Sequence, residues 1–219
     1  MPESFLNFLD KILIPQIQVT YHLAVFRMSL QAILFDRDGT LFDTRARDVL
    51  GYLYRRYVLS REKFNLRLIP RVKQVIDYLS SLNLEMAMIS SGTGTKATTN
   101  ILQALGLNRF KSVLTLDDYG SPTLVVALKQ FLSPNFKTKF KAWQISESLK
   151  RLNILPYKAL VVGDSVFDIL AGKIIGTRTA FITKGSAKSQ SLLEKIRPDI
   201  TIQSILRLPE AIEAFVRRQ

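Results

Sequence analysis

The stretch AILFDRDGT, residues 32–40, passes directly from an apolar run into two acids and a glycine. Four consecutive apolar residues are typical of a strand that is buried on both faces of a parallel sheet. Asp36 and Asp38 follow where that strand ends. One carboxylate at such a position can attack an electrophile while the other moves a proton to and from the reacting oxygen. Taken by itself, the segment also fits a solvated turn after a strand.

Short apolar or β-type runs recur further along the chain and alternate with amphipathic segments. The runs lie at residues 86–89, 113–116, 159–162, 179–182 and 200–202, and the amphipathic segments at 72–82, 98–105, 145–152 and 167–175. This alternation predicts an α/β fold with an open parallel sheet and helices on both faces. Ligands bind beyond the carboxyl ends of the strands in such sheets, so we expect the polar residues that end the runs to meet at one rim.

A second pair of acids follows the run at 159–162. Asp164 and Asp168 stand four positions apart at the start of a predicted helix, in the segment GDSVFD of residues 163–168. Side chains with this spacing reach the same point from neighbouring turns. Carboxylate oxygens suit Mg²⁺, which takes a few carboxylates, waters and a phosphate oxygen. The alternative is that Asp164 caps the helix and Asp168 is an ordinary first-turn acid.

Two further groups could contact a phosphate. Ser90, Ser91 and Gly92 follow the run at 86–89 and offer hydroxyl and backbone N–H donors to a phosphate oxygen. Lys139 and Lys141 lie in a basic stretch before a predicted helix, where one ammonium could face a phosphoryl group. Considered separately, the first group is better explained as a cap or turn and the second as a solvated basic stretch.

Together, these four groups in this order resemble the haloacid dehalogenase-like hydrolases, and in general pattern the phosphoglycolate phosphatase-like members. The resemblance runs from about residue 31 to the end of the chain. It implies a Rossmann-like core over residues 28–219, with a short helical cap inserted at about 42–68, a segment without a clear strand pattern. Residues 1–27 would be an N-terminal extension that includes an amphipathic helix.

The resemblance also implies roles for the acids and a cofactor, Mg²⁺. Asp36 would be the nucleophile that accepts the phosphoryl group and would also contact the metal. The side chain of Asp38 would be the general acid and base, and its backbone carbonyl would contact the metal. Asp164 would be a further metal ligand, and Asp168 would support the metal site. Members that act as dehalogenases lack the second aspartate, whereas phosphatases carry it.

For the substrate, the resemblance implies that Ser90 holds a phosphate oxygen and that Ser91, Gly92 and a lysine lie nearby. The lysine is either Lys139 or Lys141, and the expected position at the head of a helix favours Lys141. A small phosphorylated substrate is the main expectation. A thin cap leaves open a phosphatase that acts on a protein or nucleic-acid end, and a non-catalytic scaffold on the same fold is a further alternative.

Composition limits the remaining possibilities. The 219 residues fit one domain; they contain no cysteine and a single histidine, His22, which excludes thiol chemistry and any mechanism that needs two histidines. The formal charge of +13 favours anionic ligands, but the basic residues are scattered, so nucleic acid is possible and not favoured. The apolar N-terminal segment is interrupted by polar residues and lacks a basic start, so neither a membrane span nor a signal peptide is expected. Cytoplasmic placement follows as an expectation, and nothing indicates an oligomeric state.

Overall fold

The computed structural model of the chain describes residues 30–43, 67–92, 94–120, 129, 133–184 and 193–217. The amphipathic helix predicted within residues 1–27, and residues 44–66 of the predicted cap, lie outside these ranges. The described residues form eight strands: β1 (Ala32–Asp36), β2 (Phe42–Asp43), β3 (Arg67–Leu68), β4 (Glu85–Ile89), β5 (Phe110–Leu114), β6 (Ala159–Gly163), β7 (Arg178–Ile182) and β8 (Ile200–Ile202).

Five longer α-helices accompany these strands in the described ranges. They are α1 (Val72–Ser81), α2 (Thr95–Ala104), α3 (Pro134–Leu152), α4 (Val166–Ile175) and α5 (Leu208–Val216). No helix in the part of the chain that the structure describes has the length and apolar character needed to cross a membrane.

Six of the strands make one parallel sheet in the order β5-β4-β1-β6-β7-β8. The strand of the AILFDRDGT segment is therefore central: Ala32 lies opposite Glu85 of β4 on one side and Ala159 of β6 on the other. All five residues of β1 are buried. The α/β fold with an open parallel sheet that the sequence predicts is thus confirmed.

Alternate residues of β1 pack against helices on opposite faces of the sheet. Ile33 and Phe35 belong to a core that contains residues of α1 and α5, among them Ile76. Ala32 and Leu34 belong to a second core formed with α3 and α4. Helices on both faces explain why the strand has no polar alternation, because neither face meets water.

The remaining two strands flank the predicted cap. Phe42 pairs with Leu68, and Asp43 with Arg67, in an antiparallel ladder of two residues on each strand. The expectation that residues 42–68 contain no strand is therefore wrong at both ends of the segment. Strands this short carry no period-two pattern that a sequence could reveal. They place Asp43 beside Arg67, shortly before α1 begins.

The run predicted at 113–116 is displaced in the structure. The strand ends at Leu114, and residues 116–119 form a 3₁₀ turn that Thr115 caps. Asp117, which follows the predicted run, accepts hydrogen bonds from the backbone N–H groups of Gly94 (2.7 Å) and Thr95 (3.2 Å). Its carboxylate thus satisfies the amino end of α2 and lies outside the group of acids at the carboxyl end of β1.

Replacement of a core residue of α1 tests the packing of this layer. Leu79 is fully buried against the sheet. We expect Leu79→Ala to lower the free energy of unfolding by about 2–5 kcal/mol, because it removes buried apolar surface and leaves a cavity. Gln74→Ala, on the exposed face of the same helix, is the control and should change the value by less than about 0.5 kcal/mol. Urea unfolding measures both, and equal effects would contradict the packing described.

Candidate active site

The carboxyl ends of β1, β4 and β6 meet at one rim of the sheet. Asp36 is the last residue of β1, Ser90 follows β4, and Asp164 follows β6. Because these three strands are adjacent, residues far apart in sequence become neighbours. The structure thus brings the sequence-predicted residues to the edge where ligands bind in open α/β sheets.

Three acids form a compact group at this rim. Asp36, Asp164 and Asp168 each offer a carboxylate oxygen, and these oxygens all lie within 4.8 Å of one another. Asp36 and Asp168 are buried and Asp164 is partly buried. Three converging carboxylates supply the oxygen ligands that Mg²⁺ prefers. The residues present therefore fit a divalent cation.

Lys141 enters this group from α3. Its Nζ donates a hydrogen bond to Oδ1 of Asp36 and forms an ion pair with Oδ1 of Asp168 at 2.8 Å. The lysine is buried, whereas Lys139 is exposed. Of the two lysines that the sequence leaves open, the structure brings only Lys141 to the acids. It lies about two turns inside α3 and not at the head of the helix, because Ser133 caps α3 and Pro134 begins it.

Burial and neighbouring charges shift the ionisation of these groups. Burial raises the pKa of Asp36 from 3.8 to about 6; the positive charge of Lys141 opposes this rise, and the negative charges of Asp168 and Asp38 add to it. Burial lowers the pKa of Lys141, but the carboxylates of Asp168 and Asp36 outweigh it and hold that pKa above its ordinary value. The ammonium therefore remains charged beside Asp36 at neutral pH.

Asp168 combines a structural and a site contact. Its Oδ2 accepts a hydrogen bond from the backbone N–H of Ser165 at 3.2 Å, and the Ser165 hydroxyl caps the amino end of α4 in return. Its Oδ1 faces Lys141. The predicted alternative that Asp164 caps the helix is wrong, since Ser165 is the cap. Gly163 makes room for this arrangement, because a Cβ there would lie 2.6 Å from the Cβ of Asp168.

Asp38 lies beside this group and has different partners. Its carboxylate accepts hydrogen bonds from the guanidinium of Arg37 at 3.0–3.2 Å and from the hydroxyl of Ser90 at 2.8 Å. The Ser90 hydroxyl in turn accepts the backbone N–H of Gly92 at 3.0 Å. The structure therefore joins the turn of Asp38 directly to the loop of Ser90, Ser91 and Gly92. Arg37 was not among the residues predicted from the sequence, although its place between the two acids of AILFDRDGT is the signal that points to it.

The loop of Ser90, Ser91 and Gly92 is held by a residue that the sequence analysis also missed. Gln144 lies three positions after Lys141 on α3, and its Nε2 donates to the carbonyls of Ser90 (2.7 Å) and Leu114 (3.1 Å). The hydroxyl of Ser91 is buried and, within the described part of the chain, has no hydrogen-bond partner. A ligand oxygen at the rim is a suitable partner for such a group.

A second lysine, Lys184, reaches the acids from the far side. It follows β7, and its Nζ contacts the carboxylate of Asp164. Burial and the charge of Asp36 raise the pKa of Asp164, and Lys184 opposes this rise. Gly39 adopts a φ of +82°, and a Cβ there would lie 2.6 Å from the Lys184 Nζ. Only glycine fits this turn without strain or collision, so the predicted glycine turn has a structural reason.

The fold and the site define a family, and comparison with known proteins identifies it. The profile of the haloacid dehalogenase-like hydrolases matches residues 46–182, which is more than half of the chain. The chain therefore belongs to the haloacid dehalogenase-like hydrolases, and the predicted membership is confirmed. The matched range begins after the AILFDRDGT segment, whose place at the centre of the sheet comes from the structure.

Individual relatives agree with this family. A putative pyrophosphatase PpaX of Clostridium perfringens is 33% identical over 85 residues, which cover 38% of this chain and 39% of that protein. A pyrophosphatase PpaX of Oceanobacillus iheyensis is 24% identical over 81% of this chain and 94% of its own length. A haloacid dehalogenase-like hydrolase of Streptococcus pneumoniae shares the fold, with a TM-score of 0.60 at 20% identity over 84% of this chain and 98% of its own.

The raised pKa of Asp36 predicts how its replacement changes stability with pH. A carboxyl that binds its proton more tightly in the folded chain than in the unfolded chain destabilises the folded state when it ionises. This loss of folding free energy is absent below about pH 4 and complete above about pH 6. In EDTA, we expect the stability of Asp36→Asn relative to the wild type to rise by up to about 3 kcal/mol between about pH 4 and 7. Urea unfolding at several pH values measures the difference. Gln74→Ala, an exposed change that involves no ionisable group, is the control and should differ from the wild type by the same amount at every pH. A pH-independent difference for Asp36→Asn would contradict the prediction.

Proposed function

We propose that this hydrolase is a phosphatase that cleaves phosphate monoesters by transferring the phosphoryl group to Asp36, with Mg²⁺ as cofactor. The observation that carries the proposal is the contact of Asp36 with a buried ammonium, Lys141, inside a group of acids. A carboxylate that must approach an anionic phosphate needs positive charge at hand.

The net charge of the group supports this reading. Asp36, Asp164 and Asp168 supply three negative charges, and Lys141 and Lys184 supply two positive ones, so these five residues sum to one negative charge. A divalent cation would change this sum to one positive charge, which attracts a phosphate dianion. The carboxylates of Asp36, Asp164 and Asp168, with the backbone carbonyl of Asp38, would hold Mg²⁺. When bound, it neutralises charge on the phosphate oxygens.

The residues of the chain then divide the reaction between them. An Asp36 oxygen attacks phosphorus as the bond to the leaving oxygen breaks. The carboxyl of Asp38, which takes up a proton from solvent as the substrate binds, gives that proton to the leaving oxygen. Water then attacks the phosphorus of phosphoaspartate and returns a proton to Asp38. This hydrolysis releases inorganic phosphate and restores Asp36. The Ser91 hydroxyl, which has no hydrogen-bond partner among the described residues, donates to a phosphate oxygen throughout. The Ser90 hydroxyl instead donates to Asp38, and the Gly92 N–H donates to Ser90.

A small phosphorylated molecule is the proposed substrate. The resemblance to phosphoglycolate phosphatase-like proteins favours phosphate monoesters of small metabolites, and the two relatives named pyrophosphatase add inorganic pyrophosphate to the compounds to be tested. The charge of +13 keeps a phosphorylated polymer end as a second candidate. Turnover that falls steeply with salt and prefers polymer ends would favour that second candidate.

Hydrolysis with and without metal tests the proposal. We expect turnover of p-nitrophenyl phosphate and of at least one small phosphate ester to require Mg²⁺ and to stop in EDTA. Asp36→Asn should lower kcat by at least about a thousandfold, because it removes the attacking oxygen. Acid-quenched reactions with radiolabelled substrate should leave phosphate on the wild type and none on this variant. Wild-type activity in Asp36→Asn would contradict the assignment, and Asp77→Asn is the control.

Two neighbouring lysines offer a matched test of the site cation. We expect Lys141→Met to lower kcat/KM for phosphate esters by about a hundredfold or more, because it removes the charge that contacts Asp36. Lys139→Met removes the same charge from an exposed position two residues away and should change kcat/KM by less than about twofold. Equal losses of kcat/KM in the two variants would mean that the overall charge of the protein matters and that the contact of Lys141 with Asp36 does not.

A further inference from the structure

The side chain of Arg37 is buried at the base of the site, with 1% of the residue exposed. Its Nε lies 3.2 Å from both carboxylate oxygens of Asp38, and its Nη2 lies 3.0 Å from Oδ2. A buried guanidinium is stable only where its charge and its N–H groups are satisfied. The forked contact with Asp38 supplies both, and its planar geometry orients the carboxylate as a single point charge could not.

The same guanidinium is anchored to two other segments. Its Nη1 donates to Oγ1 of Thr98 at 2.9 Å, and Thr98 is itself buried on α2. Its Nη2 packs directly against Gly92, so closely that a Cβ on residue 92 would overlap Nη2. Arg37 thus joins the turn after β1, the loop after β4 and helix α2. The position of the Asp38 carboxylate depends on all three segments through this one side chain.

We propose that Arg37 is a positioning residue that holds the carboxyl of Asp38 in line with the leaving oxygen of the substrate. This inference rests on the proposed function, in which Asp38 gives its proton to that oxygen while the bond from phosphorus to the oxygen breaks. Arg37 touches neither the substrate nor the reacting atoms in this scheme. It acts through the orientation of Asp38, with Ser90 as the second donor that fixes the same carboxylate.

The proposal makes the importance of Arg37 depend on the substrate. A leaving group that is a weak base departs without a proton, whereas a strongly basic one needs a general acid that is correctly placed. Loss of Arg37 should therefore harm hydrolysis of phenyl phosphate more than that of p-nitrophenyl phosphate. A purely structural role would lower both rates by the same factor. The constant kcat/KM is the right measure, because it includes the step in which the leaving group departs and excludes later hydrolysis of phosphoaspartate.

The experiment compares these two substrates with Mg²⁺ present at one pH. Arg37→Lys keeps the charge but loses the fork, and Arg37→Met loses both. We expect Arg37→Lys to lower kcat/KM for phenyl phosphate by roughly tenfold more than for p-nitrophenyl phosphate, and Arg37→Met to lower it by more still. Equal loss on both substrates in Arg37→Lys would overturn the proposal.

A milder pair of variants keeps the test valid if Arg37 variants fail to fold. Thr98→Val changes neither Arg37 nor Asp38 and removes only the hydroxyl that accepts a hydrogen bond from Nη1 of Arg37. We expect a selective loss on phenyl phosphate of roughly threefold. Thr99→Val makes the same change one position along α2, where the hydroxyl bonds to the carbonyl of Thr95 at 2.9 Å, and should show no selectivity. Thermal unfolding of each variant confirms the folded state.

Asp38→Asn separates failure of the inference from failure of the proposed function. If Asp38 is the general acid, this variant loses roughly a hundredfold more activity on phenyl phosphate than on p-nitrophenyl phosphate. Selective loss in Asp38→Asn without selective loss in Thr98→Val or Arg37→Lys would overturn the role of Arg37 and leave the proposed function intact. Uniform loss in Asp38→Asn would overturn the proton transfer itself, and the role of Arg37 with it.

Discussion

The contact of buried Lys141 with Asp36 and Asp168 is the constraint on which the rest of the site depends. An ammonium taken out of water is tolerated only if opposite charges lie within hydrogen-bonding distance, so the carboxyl end of β1 and the first turn of α4 must both face α3. The apolar residues of α3 that pack on the sheet, Ile145 and Leu149, set the depth at which the lysine enters. The packing of α3 on the sheet therefore also determines where Lys141 meets the two carboxylates.

The sheet was predictable because its signal is local. Apolar runs that end in polar residues mark buried parallel strands, and the observed order places β1 at the centre as the chemistry requires. Helix α3 was only half predicted, since the apolar spacing noted in the sequence begins at Ile145. Near its middle the helix turns Lys141 and Gln144 inward, and such buried polar residues interrupt the apolar spacing by which a helix is predicted.

Site residues that belong to a sequence motif could be predicted, whereas residues that tertiary contacts bring to the site could not. Asp36, Asp164 and Asp168 come together as their positions after strands suggest. Arg37 could not be placed in this way, because charged residues are ordinarily expected at the surface and its burial depends on a fork with Asp38 and on Thr98 from a distant helix. Lys184 depends likewise on the turn at Gly39, whose lack of a side chain admits it.

The close approach of Arg37 to Gly92 also limits how this protein can change. A side chain at position 92 would overlap Nη2 of Arg37 where that atom now lies. A substitution at 92 therefore requires the guanidinium to move or a smaller residue at 37, and either change would leave Asp38 in a different setting. The two positions are thus coupled, and a library designed to alter substrate preference should vary them as a pair.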